Sequence, residues 1–123
     1  AVVFVLGADT GVTRSDLELW RDHLASRPVA RFVVLNKIDT LRDPLLAPDA
    51  VAQQIETQRR TVAQSLGVDL GAVFAVSARE ALVARIEGDA GALERSGLPR
   101  LETALAAVER ALAAASQAPV AAQ

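Results

Sequence analysis

Three apolar runs divide the chain, and stretches with helical periodicity separate them. The predicted strands cover residues 1–6, 31–35 and 72–76, and each is built around consecutive apolar residues. Such runs, without polar alternation, are typical of strands that are covered on both faces. Strands that alternate with amphipathic helices indicate a parallel sheet with right-handed crossovers. We therefore predict an α/β fold, with three parallel strands and flanking helices in three layers.

Two helices are predicted between these strands. Ser15 and Glu18 match a capping box at the start of the first helix, and Pro28 marks its end. Asp49 is suited to cap the second helix, and Gly67 to end it. The apolar faces repeat at three- and four-residue spacing. They comprise Leu17, Trp20 and Leu24 in the first helix, and Val51, Ile55, Val62 and Leu66 in the second. The second helix turns its polar residues to water: Gln53, Gln54, Glu56, Arg59 and Arg60.

The chain after the third strand is predicted to be helical with interruptions. Residues 81–86 fit a short helix, Gly88 and Gly91 interrupt it, and residues 92–95 add a turn. Pro99 suits the first turn of a final helix. The apolar face of that helix comprises Leu101, Leu105, Val108 and Leu112.

Length and composition limit the classes of function. The chain has 123 residues, a net charge of −2 and no cysteine, so we expect one domain over residues 1–112, without disulfides or thiolate metal sites. An Ala-rich, flexible tail is predicted for residues 113–123. There is no basic surface for nucleic acid and no apolar run that could span a bilayer. A soluble chain of a reducing compartment is therefore expected.

The second strand runs directly into Asn36-Lys37-Ile38-Asp39, which matches the guanine-reading signature Asn-Lys-x-Asp of GTP-binding proteins. The chemistry explains the Asp, because a carboxylate accepts two parallel hydrogen bonds and guanine offers a matching pair of donors. Adenine lacks that pair, so Asp39 rejects it. In proteins with this signature the Asn braces neighbouring loops and the Lys stem lies over the ring. The alternative is a polar turn in which Asp39 caps local backbone.

Ser77-Ala78-Arg79 follows the third strand. GTP-binding proteins carry a second base-contacting loop at this place, usually Ser-Ala-Lys, in which the small residue presents its backbone N–H to the guanine keto oxygen. Arg79 replaces the usual Lys, and its planar guanidinium can stack on the base. The alternative is a simple strand-to-helix turn with Ser77 as the helix cap.

Residues 1–112 resemble the second half of a GTPase domain in element order, and thus a P-loop-GTPase-like sheet. The segment from Gly7 to Trp20 and the segment from Ser96 to Glu102 resemble bacterial dynamin-like GTPases. That resemblance implies a parent protein that binds and hydrolyses GTP with Mg²⁺, dimerises through its GTPase domains and remodels membranes. It also implies a cytoplasmic location or the inner face of a membrane, and a role in dimerisation-linked hydrolysis for Asp9, Thr13 and Asp16. The alternative is that a capped helix start explains these three residues without a function.

The phosphate-binding elements of that family have no counterpart in these residues. No G-x-x-x-x-G-K-S/T string occurs, although a GTPase needs one to wrap the phosphates and to present a magnesium ligand. The switch threonine and the Asp-x-x-Gly segment are also missing. Because the chain starts without Met on a predicted core strand, we expect a fragment that cannot hydrolyse GTP. An exposed first strand would also favour aggregation.

Three other functions compete with this one. One is a different GTPase class, such as a ribosome-assembly GTPase. Another is a non-catalytic interaction module that retains only the fold. The third is an aspartic protease, because Asp9-Thr10-Gly11 after an apolar strand matches the catalytic tripeptide of that class. Those proteases are nearly all β, whereas this sequence predicts amphipathic helices.

Overall fold

The computed structural model describes residues 2–26 and 30–117. Its sheet has three parallel strands in the order β1-β2-β3. The strands are β1 (Val2–Gly7), β2 (Arg31–Asn36) and β3 (Val73–Ala75). The predicted α/β class, with three parallel strands and flanking helices, is therefore confirmed.

Five α-helices surround the sheet in the described residues: α1 (Arg14–Leu19), α2 (Pro48–Leu66), α3 (Ala78–Glu87), α4 (Ala90–Arg95) and α5 (Leu98–Gln117). A π-helical segment, Trp20–Leu24, continues α1, and short 3-10 turns cover Ile38–Leu41 and Leu70–Ala72. None of the helices in residues 2–26 and 30–117 is both long and apolar enough to cross a bilayer.

Two apolar clusters hold the helices against opposite faces of the sheet, because side chains alternate between faces along a strand. The larger cluster joins α1 and α2 to the strands and includes Phe4, Leu6, Trp20, Val33, Leu35, Val62 and Leu66. The smaller cluster joins α5 to the other face and includes Val34, Phe74, Val76, Leu98, Leu101 and Leu105. Trp20 links two layers, because its ring lies 5.4 Å from that of Phe4 and its Nε1–H donates to the Leu66 carbonyl at 3.0 Å.

The N-terminal caps predicted for the first two helices were wrong. The hydroxyl of Thr13 accepts from the Asp16 N–H at 3.2 Å, and the Asp16 carboxylate accepts from the Thr13 N–H at 2.9 Å. Thr13 and Asp16 therefore form the capping box, and the cap lies two residues before the predicted Ser15. The second helix begins at Pro48, whose fixed φ suits the first helical position. Asp49 lies in the first turn, where its charge favours the helix dipole without capping it.

Two of the predicted helix ends are confirmed. Gly67 and Gly88 end α2 and α3 in the left-handed conformation, with φ of +68° and +70°. Gly91 does not interrupt a helix, because it lies inside α4. Helix α5 continues beyond residue 112, through residues 113–117 of the predicted tail. Pro28 and residues 118–123 lie outside the described part of the chain.

Two side chains differ from the predicted pattern. Leu112 belongs to the predicted apolar face of α5 but is exposed, because the smaller cluster ends near Leu105. Arg59 was predicted to face water, yet its side chain is only 22% exposed. Its guanidinium donates to the carbonyls of Val73 at 2.6 Å and Leu70 at 2.8 Å.

The two edges of the sheet are protected to different degrees. Arg59 and the segment around Gly97 contact the backbone of β3. On β1, Val3 and Val5 are 42% and 58% exposed, because α5 packs against β2 and β3 and leaves them uncovered. Within residues 2–26 and 30–117, edge strand β1 thus combines an open edge with an uncovered apolar face.

Candidate functional site

The two predicted base-contacting segments meet at one edge of the sheet. Strand β2 ends at Asn36 and β3 ends at Ala75, and the two strands are parallel neighbours. Their carboxyl ends therefore lie side by side, which is where open α/β sheets bind ligands. Direct contacts join the segments at Asn36 and Ala78, at Asp39 and Ser77, and at Asp39 and Arg79.

Asp39 is held by Ser77. The Ser77 hydroxyl donates to Asp39 Oδ1 at 2.9 Å and accepts from the Glu80 N–H at 3.0 Å, so it orients the carboxylate and caps α3 at once. Ser77 is fully buried, and the Asp39 side chain is 20% exposed. The helix-cap interpretation of Ser77 is thus correct and coexists with a contact to Asp39.

Asn36 bridges to the second segment. Its Oδ1 accepts from the backbone N–H of Ala78 at 3.2 Å. The family resemblance assigns this same N–H to the guanine keto oxygen, so a bound base would share or replace the Asn36 contact. Ala78 itself is exposed.

Lys37 has an unusual backbone. Its φ of +66° makes it the one non-glycine residue with a positive φ in residues 2–26 and 30–117. Left-handed conformations of non-glycine residues cost about 1 kcal/mol or more and cluster at functional sites. Its Nζ lies 3.6 Å from Asp9 Oδ2, so the loop after β1 also reaches this edge of the sheet.

Arg79 lies beside Asp39 with its side chain 84% exposed, and its Nη1 is 3.9 Å from Asp39 Oδ2. A cavity of about 340 Å³ opens next to this pair, within the range of small-molecule sites. Its lining comprises Asp39, Arg42, Arg79, Glu80, Val83, Ala84, Glu87 and Ala92.

Two supports of this site were missed from the sequence: the ion pair of Arg42 and the packing of residues 96–97 against the end of β3. Arg42 Nε donates to both carboxylate oxygens of Glu80, at 2.9 and 2.7 Å, and ties the loop after β2 to α3. The carbonyl of Ser96, which is fully buried, accepts from the Ser77 N–H at 2.8 Å. At Gly97, φ is +80° and an added Cβ would collide with the Ala75 carbonyl oxygen. A glycine just after a helix was the available signal, because such positions often need a left-handed backbone.

The other candidates from the family resemblance are Asp9, Thr13 and Asp16. Thr13 and Asp16 are engaged with each other in the capping box of α1. Asp9 pairs with Lys37 instead. The protease interpretation of Asp9-Thr10-Gly11 also conflicts with the parallel α/β fold, because it requires a nearly all-β chain.

No group of three or more His, Cys, Asp or Glu side chains in residues 2–26 and 30–117 could hold a metal ion. The family resemblance implies Mg²⁺ only through the phosphate-binding elements, which have no counterpart in these residues. Comparison with known proteins identified no relative, since no family model, curated protein or solved structure matches the chain.

Proposed function

We propose that this chain is the guanine-recognising part of a GTPase domain of the dynamin-like class. Support comes chiefly from the contact between Ser77 and Asp39, which joins the two predicted base-reading segments and fixes the orientation of the carboxylate. The parallel strands bring the two segments together, and this hydrogen bond fixes the Asp39 carboxylate at the place where the proposal needs an acceptor.

In the proposed complex the ring N–H and the exocyclic amino group of guanine donate to Asp39. Its Oδ1 accepts one hydrogen bond from Ser77 and has a second lone pair, and Oδ2 faces Arg79 across 3.9 Å. The N–H of Ala78 donates to the keto oxygen, next to Asn36. The Lys37 stem covers one face of the ring.

The proposal assigns no catalytic residue to this chain. Its 123 residues contain no phosphate loop, and its described residues contain no group of three or more His, Cys, Asp or Glu side chains that could hold a metal ion. Hydrolysis of GTP, dimerisation of GTPase domains and membrane remodelling are accordingly proposed only for a parent protein that supplies those parts. In this proposal the chain contributes the residues that distinguish guanine from other bases.

Saturation-transfer NMR tests that choice, because it detects weak ligands at low protein concentration. With the 123-residue chain we expect GMP to bind about tenfold or more tightly than AMP, because AMP lacks the pair of donors that Asp39 would accept. IMP, which lacks the exocyclic amino group, should fall between them. The mutation Asp39→Asn should shift the preference to XMP, because the amide donates to a keto oxygen where the carboxylate cannot.

The control is Asp22→Asn, which makes the same chemical change at an exposed position in the π-helical segment. It should leave the order GMP, IMP, AMP unchanged. Equal saturation of all four nucleotides by the unmodified chain would refute guanine recognition.

A further inference from the structure

Arg79 replaces the lysine that usually follows Ser-Ala in GTP-binding proteins, and the structure turns its guanidinium toward Asp39. Its Nη1 lies 3.9 Å from Oδ2, the carboxylate oxygen that Ser77 does not hold. We infer that Arg79 lies where guanine would approach Asp39 and must be displaced when the base binds. This inference rests on the proposed function and adds a residue that sets the affinity of the site.

The chemistry of the two groups explains the competition. The edge of guanine that Asp39 would read consists of N1–H, C2 and the exocyclic amino group, which is a guanidine-like fork. Arginine presents the same planar fork, and carboxylates accept it in the same side-by-side geometry. One nitrogen of Arg79 already lies 3.9 Å from this carboxylate, and guanine would bring its own fork of donors to the same group.

Both ends of the contact allow exchange. Arg79 lies in the first turn of α3, and its side chain is 84% exposed, so it can swing away without disturbing the core. Asp39 remains in place, because the buried hydroxyl of Ser77 holds its other oxygen. An exposed ion pair contributes little, so its loss should change guanine affinity by only about two- to fivefold.

Competition and stacking predict opposite results for Arg79→Gln. If Arg79 competes for Asp39, the mutation should raise the affinity for GMP about two- to fivefold. The affinity for AMP should not rise with it, because AMP does not donate to Asp39 in this way. If Arg79 stacks on the base, the mutation should weaken GMP and AMP alike. The GMP-to-AMP affinity ratio separates the two, and it cancels any effect of the lost charge on the phosphate.

The experiment measures this ratio in the 123-residue chain by saturation-transfer titration of each nucleotide. Arg79→Lys keeps the charge but loses the fork, so it should raise the ratio less than Arg79→Gln. Arg85→Gln is the matched control, because Arg85 lies on the same helix and pairs with Glu102 at 2.7 Å instead. It should leave the ratio unchanged.

The possible outcomes separate this inference from the function on which it rests. A ratio that falls or stays constant in Arg79→Gln, while GMP is still preferred to AMP, overturns only the competition. Failure of the unmodified chain and of every Arg79 variant to prefer GMP overturns guanine recognition, and the competition with it. A ratio that rises in Arg79→Gln and not in Arg85→Gln supports both.

Discussion

Ser77 and Asp39 are 38 residues apart in the chain, and the hydroxyl of one donates to the carboxylate of the other at 2.9 Å. This hydrogen bond connects the ends of two neighbouring strands. It makes the orientation of Asp39 depend on a residue that also begins α3, so the stability of that helix and the geometry of the candidate site are coupled.

The mutation Ser77→Ala tests this coupling. It removes both the helix cap and the donor to Asp39, so we expect a loss of about 1–3 kcal/mol in the free energy of unfolding. The preference for GMP over AMP should also decrease. Urea unfolding followed by fluorescence of Trp20, the single tryptophan of the chain, measures the first effect.

Thr61→Ala is the control for Ser77→Ala, because it removes an exposed hydroxyl that bonds only within α2. Its effect should stay within about 0.5 kcal/mol. Equal unfolding midpoints for the two variants would contradict the role given to Ser77.

Alanine substitutions at three glycines should lower the free energy of unfolding by increasing amounts. Gly71→Ala should be nearly neutral, because the added Cβ meets open space. Gly88→Ala also meets open space but at φ +70°, so we expect a loss of about 1 kcal/mol from backbone strain. Gly97→Ala combines φ +80° with a collision against the Ala75 carbonyl, and should cost more than about 3 kcal/mol. Unfolding midpoints in urea give the order, and a tolerated Gly97→Ala would argue against the tight packing beside β3.

Neighbouring arginines on α2 should behave differently. Arg59→Met leaves the Val73 carbonyl without its side-chain donor and removes one of two donors from the Leu70 carbonyl, which also accepts from the Val73 N–H. We therefore expect a loss of about 1–3 kcal/mol in the free energy of unfolding. Arg60→Met removes a side chain that is 66% exposed and pairs only with Glu56 at 3.5 Å, so its effect should stay within about 0.5 kcal/mol. Thermal unfolding of the two variants under the same conditions makes the comparison, and similar melting temperatures would contradict the buried role of Arg59.

The open side of β1 should promote self-association. Val5 is 58% exposed on an edge strand, and such strands pair readily with other chains. Val5→Lys should therefore shift sedimentation-velocity profiles toward the monomer. Leu45→Lys, at a 91% exposed loop position, is the control and should have little effect. A monomeric unmodified chain with one sharp, cooperative unfolding transition would disprove this expectation.

The fold class could be predicted from the sequence because the signals that define it are local. Consecutive apolar residues around Val33 and Val73 indicated buried strands, and the parallel order followed from the intervening helices. The meeting of Asn36 and Ala78 was also predictable, since parallel strands end at the same edge of the sheet.

Contacts between distant segments could not be predicted in this way. Nothing near Ser96 indicates that its carbonyl accepts from Ser77, because that contact depends on where the chain returns after α4. Arg59 stands in a polar run and differs from Arg60 only in the direction of its side chain relative to β3. The helix starts were misplaced because Thr13, Ser15 and Asp49 are all acceptable caps by residue type.

The left-handed backbone of Lys37 sets stability against recognition at a single position. A glycine there would adopt φ +66° without strain and should stabilise the fold by up to about 1 kcal/mol. It would also remove the stem proposed to cover the base and the ion pair with Asp9. At this position, relief of backbone strain and the contacts of the side chain therefore favour different residues.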